Sequence, residues 1–251
     1  MGTRTHYHYI QAIDNSASKH QNLNPYFFAK NLTQTLHKKN ILVSRLIIHQ
    51  KTNINQLQLE LFYRAHKLKD YRTKSKKKKL QPLKQNLSKL FLEKNSAIKV
   101  KVLNKDIKNK ETKALAKHCI SFLKKIFTKK ADLFCDVLKV ATLVARKKAT
   151  TWSLLQLLIL SFKPLRKRKH TIFISFLKEL FRLLIRKKTY RIKGVKVRIA
   201  GRLKGKPRGS YTQFHLGKIS LTTNSQKIEA AQDHIYTIYG CFGLKLWINF
   251  K

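Results

Sequence analysis

The sequence predicts an α+β protein of two small units, the second with a mostly antiparallel sheet, and a helical segment inserted into that second unit. Three observations carry the prediction. Apolar–polar alternation of period two, the mark of a strand with one buried side, clusters at 41–102 and again beyond Gly194. Helical periodicity fills the residues around and between these clusters. Of the eight glycines, Gly2 stands alone and the other seven lie between Gly194 and Gly243. A glycine-rich phosphate loop is therefore hard to build in the first three-quarters of the chain, because such loops need positive φ and close backbone approach.

Residues 1–24 form a polar N-terminal extension. Pro25 then opens YFFAKNLTQTLHKK, in which Phe28, Leu32 and Leu36 recur at helical spacing. ILVSRLIIH (41–49) is rich in β-formers, and LQLELFY (57–63) alternates Leu57, Leu59, Leu61 and Tyr63 against Gln58, Glu60 and Phe62. A lysine run precedes a helical repeat at Leu83, Leu87 and Leu90, and IKVKV sets Ile98, Val100 and Val102 against Lys99 and Lys101. Helix, strand, strand, basic linker, helix and strand make one α+β unit over 25–110, with an antiparallel sheet covered by helices on one face.

Residues 111–186 read as mostly helical, broken at KPLRKRKH (163–170), where Pro164 ends a helix. TWSLLQLLILSF (151–162) is the most membrane-like stretch. Only 14 uncharged residues separate Lys148 from Lys163, fewer than a span requires, which predicts a buried or protein-facing helix and no membrane span. Beyond Gly194 three strands alternate. Val195, Val197 and Ile199 oppose Lys196 and Arg198; Ile219 and Leu221 oppose Lys218, Ser220 and Thr222; Leu244, Leu246, Ile248 and Phe250 oppose Lys245, Trp247 and Asn249. SQKIEAAQDHIYTIYG, between the second and third, reads as a short helical or extended crossover.

The charge is extreme. Against 11 Asp and Glu stand 56 Lys and Arg, a formal net charge of +45 in 251 residues, with a hydrophobic fraction of 43% that is too high for a disordered tail. Residues 194–251 hold ten Lys or Arg and two acids, Glu229 and Asp233, so both units are basic and no detachable tail accounts for the total. Positive charge over several faces suits burial among phosphates, where each neutralised phosphate releases counterions.

Catalytic chemistry is poorly represented. The acids are scattered, the His residues are dispersed, and GRLKG lacks the spacing of either a Walker loop or a dinucleotide fingerprint. Cys119, Cys135 and Cys241 form no CxxC and read as buried single thiols; His118 beside Cys119 on a helix does not converge with it on one ion. No catalytic residue, metal or cofactor is expected. The candidate residues are cations for nucleic-acid phosphate: Lys74 and Lys76, Lys77, Lys78 and Lys79 in the lysine run, and Arg166, Lys167, Arg168 and Lys169 after Pro164. To these are added the strand residues Lys196 and Arg198, then Arg202, Lys204, Lys206 and Arg208 on the glycine-punctuated loop, and Lys218.

KGVKVRIAGRLKG, LGKISL and YTIYGCFGLKLWINF together resemble the C-terminal domain of the universal ribosomal protein three of the small subunit, over about the last 60 residues. NPYFFAKNL, VSRLIIH and IKVKV are similar, more weakly and in the right order, to the family's N-terminal KH domain of type II. The MG start is similar to the family's own, which favours an uncleaved N-terminus. The resemblance implies a structural, non-enzymatic protein of the small-subunit head. Its partners would be ribosomal RNA, neighbouring ribosomal proteins and messenger RNA near the point at which it enters. A free RNA-binding or antitermination-like module is the alternative.

Three departures matter. Where a KH domain carries its GxxG clamp, this chain has KSKKKK without glycine, so the KH-like domain is degenerate and diffuse charge replaces the clamp. Residues 126–165 have no counterpart and read as an inserted helical segment, its apolar side facing a private core or a neighbouring protein; 111–125 and 166–251 make the C-terminal domain. Of the family's messenger-facing basic cluster, aligned with Ile174, Ser175 and Lys178, only Lys178 keeps the charge. These departures and the Lys/Asn/Ile-rich composition imply an organellar, mitochondrial form, ahead of a plastid or bacterial one.

Overall fold

A computed structural model describes residues 10–14, 41–50, 55–63, 96–103, 112–119, 131–203, 210–223 and 226–251. The chain divides into two compact units, essentially Tyr7–Lys105 and Asp106–Lys251.

The first unit contains a four-stranded sheet in the order β1 (Ile10–Asp14), β2 (Ile41–Gln50), β3 (Asn55–Tyr63), β4 (Ser96–Val102). The strand read from its β-formers and the two read from alternation are present, and β1 arises inside the stretch read as a polar extension. The expected antiparallel sheet is in fact mixed: β2 and β3 are antiparallel, whereas β1 runs parallel to β2 and β4 parallel to β3. Connection length decides this. Residues 51–54 suffice for a hairpin, whereas 64–95 allow the crossover that a parallel neighbour demands. A register shift between Val43 and Arg45 lets Leu42, Val43 and Leu46 all be buried. Phe62, on the polar side of the alternation, is buried opposite Leu42. The helices on which the KH reading depends, and the KSKKKK run, lie outside the described residues.

In the second unit residues 112–119 are helical, followed by α1 (Ala131–Ala145), α2 (Thr151–Phe162) and α3 (His170–Arg186), with a 3-10 turn at Lys167–Lys169. An antiparallel sheet then forms in the order β6 (Tyr211–Gly217), β5 (Ile192–Ala200), β8 (Gly240–Phe250), β7 (Ile228–Thr237). Helix α3 buries Phe173, Phe176, Leu177, Leu180, Phe181 and Leu184, an i, i+3, i+4, i+7 stripe, and packs on β5 and β6 and against α1. The matching alternation in the sheet buries Val195, Val197, Ile199, Leu244, Leu246 and Ile248. Phe162 joins the layers edge-on, 5.4 Å from Phe173 and 5.2 Å from Phe242 between ring centroids.

Helix α2 is apolar nearly all round because it is covered on several sides. It packs on β7 and β8 and against α1, and it buries Leu154, Leu155, Leu157, Leu158 and Phe162. The 126–165 segment, expected to face a private core or another protein, thus places α2 against the sheet of its own unit. Its N-terminus is held from β7: Oε2 of Glu229 accepts hydrogen bonds from the Thr151 backbone N–H (3.2 Å) and from Thr151 Oγ1 (2.6 Å), while Thr150 makes no side-chain cap. Among the described residues no helix is long and apolar enough to cross a membrane.

Two strand assignments in this sheet change. The second strand is Tyr211–Gly217, not the KISLT stretch (218–222) beyond it: Gly217 turns the chain at φ 72, and 218–223 leave the ladder. The segment read as a helical or extended crossover is the edge strand β7.

Candidate nucleic-acid interface

The alternation that buries one side of β5 and β8 sends Lys196, Arg198, Lys245 and Trp247 to the other. The helices occupy the buried side, so this face is open. Register aligns its residues in rows across the four strands. Gln213, Arg198, Lys245 and Gln232 form one row; His215, Lys196, Trp247 and Ala230 form the next; Tyr211, Ala200, Gly243 and His234 flank the first on its other side.

Aromatic rings hold two of the three cations. The Arg198 guanidinium carbon lies 4.2 Å from the centroid of the Tyr211 ring, and Lys196 Nζ lies 5.6 Å from that of Trp247. Tyr211 nonetheless keeps 57% of its surface exposed. The two acids of these strands, Glu229 and Asp233, take helix-side register positions opposite Ile248 and Leu244. No Asp or Glu of β5–β8 therefore shares the open face. Arg198 stands directly opposite Lys245, a like-charge cross-strand pair that disfavours the isolated fold. Such a face attracts anions. At one end Asn249 ties Lys218 and Gln226 together, its Nδ2 donating to the Lys218 carbonyl (2.9 Å) and to Gln226 Oε1 (2.8 Å).

The other candidate cations are spread around the unit. Arg166, Lys167 and Arg168 are exposed and Lys169 half-buried at the start of α3, with Lys167 Nζ 5.0 Å from the centroid of Tyr239 in the β7–β8 turn. Lys178 extends from α3 over Phe214, 5.7 Å from its centroid, on the helix side of the β6 edge. Arg202 follows the C-terminal end of β5 and Lys218 lies beside its N-terminal end, where its N–H donates to the Lys193 carbonyl (3.2 Å). Strand rise separates these two ends by roughly 25 Å. Lys74, Lys76, Lys77, Lys78, Lys79, Lys204, Lys206 and Arg208 lie outside the described residues.

Gly201, which leads into the basic loop, adopts φ 135, and a Cβ there would meet Cδ1 of Phe242 at 2.5 Å. Only glycine lets β5 turn into the loop while the Phe242 ring stays in the core.

Sequence reading overlooked Tyr211, His215 and Lys245 as members of this face. Lys245 already stood on the polar side of its strand, whereas Tyr211 and His215 were hidden by the misplaced second strand. The thiols also differ from expectation. Cys119 is buried and Cys135 half-buried, but Cys241 is exposed, its Sγ 4.0 Å from Nδ1 of His234. Burial, and secondarily the Glu179 carboxylate, push the Cys119 thiol up to about 11, which keeps it protonated and structural. His170, enclosed by Phe162, Tyr239 and Phe242, has its pKa lowered by burial.

Residues 173–248, from α3 to β8, match the family described as ribosomal protein S3, C-terminal domain. Similar proteins include small ribosomal subunit protein uS3c of Oryza sativa, 41% identical over 75 residues that make up 30% of this chain and 31% of that protein. The proteins of the same name from Hordeum vulgare and Sorghum bicolor are 40% and 39% identical over 75 residues, again 30% of this chain and 31% and 34% of theirs. The aligned stretch thus spans about a third of the length of the curated relatives it matches. These matches show that residues 173–248 are similar to the C-terminal domain of ribosomal protein S3. They also correct the mitochondrial assignment: the relatives carry the name of the chloroplast form, which points to a plastid.

Proposed function

We propose that the protein is a non-enzymatic constituent of the small ribosomal subunit that binds ribosomal RNA and supports translation. The observation that carries this reading is the acid-free cationic face of the C-terminal sheet, backed by a helix-covered core within the stretch that matches the ribosomal family. The core holds the strands in register, and the register holds Lys196, Arg198 and Lys245 where phosphate oxygens are neutralised. The cations around Arg166–Lys169, at Arg202 and at Lys218 extend contact to other RNA segments, as do the lysine run and the remaining loop cations.

The protein's proposed seat is the subunit head near the incoming messenger, beside other small-subunit proteins, a reading supported by the resemblance of about the last 60 residues to that family. On α3 Lys178 alone represents the messenger-facing cluster, and it leans on Phe214. Messenger unwinding is accordingly not part of the proposed function.

Sedimentation of a plastid lysate at high magnesium tests the reading. The protein is expected in the small-subunit peak and is expected to leave it at high salt. Recovery only at the top of the gradient would favour a free RNA-binding module.

A further inference from the structure

Neutralising phosphate requires cations but not rings, and the open face has both. Tyr211 and Trp247 lie outside the core, on the side of the sheet that the helices leave uncovered, and each is held by a cation from β5. Double-stranded RNA displays phosphates and 2′-hydroxyls but no accessible base faces, so a ring on this surface gains nothing from a duplex. Unpaired bases do offer π-faces, to aromatic rings and to guanidinium planes alike.

We propose that this face is a stacking platform for an unpaired stretch of RNA, with bases on Tyr211 and Trp247 and the intervening phosphates on Arg198, Lys196 and Lys245. The inference rests on the RNA-binding reading above and adds the class of RNA.

Geometry favours two base positions over one. Tyr211 and Trp247 are two strands apart and offset by four residues along the sheet. Strand spacing and rise separate their Cα atoms by roughly 16 Å, too far for one base to bridge. All three strand cations lie in the rows between and beside them, so a single strand running diagonally from β6 to β8 meets ring, cations and ring in turn. The opposed pair Arg198 and Lys245 is relieved when a phosphate lies between the two. Gln213 and Gln232 end the same row with amides that can donate to and accept from base edges. A protein partner fits less well, since an acidic peptide would satisfy the cations and leave both rings without a planar counterpart.

The test titrates the full-length protein with two RNAs of equal length, an unpaired oligonucleotide carrying 2-aminopurine and a fully paired hairpin, at two salt concentrations. Tighter binding of the unpaired RNA, with quenching of the 2-aminopurine, is expected. Tyr211→Ala and Trp247→Ala should each weaken that binding by about tenfold or more and change hairpin binding by less than about twofold, while Tyr211→Phe retains it. Circular dichroism checks that each variant folds. If the alanine variants bind unpaired RNA like the parent, or if the hairpin is preferred without quenching, stacking is overturned while RNA binding through charge stands. If neither RNA binds, the RNA reading itself falls.

Discussion

The two faces of the C-terminal sheet are written by the same residues in alternation, yet they obey different rules. On the helix side Val195, Val197, Ile199, Leu244, Leu246 and Ile248 are almost completely buried, and each is satisfied by any neighbour of suitable volume. On the open side Lys196, Arg198, Lys245, Trp247 and Tyr211 gain little from burial, and one directly opposed pair repels. A face that weakens its own sheet in isolation is organised for something outside the chain. The comparison teaches that stability and binding are separable here by position parity along a single strand.

The largest effect that sharpens the contrast is Leu246→Ala, which should lower unfolding free energy by about 2–5 kcal/mol in denaturant titration. Its neighbour Trp247→Ala should cost under about 1 kcal/mol in the same titration. Equal losses would erase the distinction between the faces. Next, Gly201→Val, strained by its positive φ and by the Phe242 ring, should cost about 1–3 kcal/mol in thermal unfolding. A variant as stable as the parent would show that the turn into the basic loop does not depend on glycine.

Removing both Arg198 and Lys245 side chains with alanine should reduce the salt slope of RNA binding by about 1.5 units and leave stability unchanged or higher. A slope equal to the parent's would remove these residues from the interface. Glu229→Ala should cost about 1 kcal/mol or less, visible as faster amide exchange at the first turn of α2. Exchange that spares this turn would mean that Glu229 does not hold it.

The smallest effect concerns His170, whose folded pKa lies below the ordinary histidine value because burial disfavours the charged ring. The unfolded chain then binds the extra proton, so this contribution is complete above about pH 6.5 and is lost as pH falls through that value toward the folded pKa. His170→Phe should flatten that part of the stability profile. Facing charges are few: Lys167 reaches Tyr239 beside His170, and Lys169 precedes it on the chain. An unchanged profile would assign the acid sensitivity to another group.

Much of the fold was legible. Strands β3–β5 and β8 and the helical character of 131–186 follow from periodicity and β2 from its β-formers; in β5 and β8 the helix-side positions carry apolar side chains. Strand β7 was not legible for a specific reason. Two of its helix-side positions carry Glu229 and Asp233, and Glu229 stands there to hold the N-terminus of α2. A residue placed for a neighbouring helix breaks the period-two signal of its own strand. Strand β6 was misplaced because Ile219 and Leu221 prolong the alternation beyond Gly217, where the chain turns away from the ladder. The site was half legible for the same reason: Lys196 and Arg198 could be assigned to a face, whereas Tyr211 could not until its strand was located.

The sequence by itself determined the α+β class, the strong positive charge and the alternation of sides along β5 and β8. These are properties of composition and of a two-residue period, which act within one segment. Only the tertiary structure decided that α2 covers β7 and β8, that Arg198 opposes Lys245, and that Tyr211 lies beneath Arg198. Such pairings depend on strand order and register, which are set by the collective burial of residues far apart in the chain and leave no local mark.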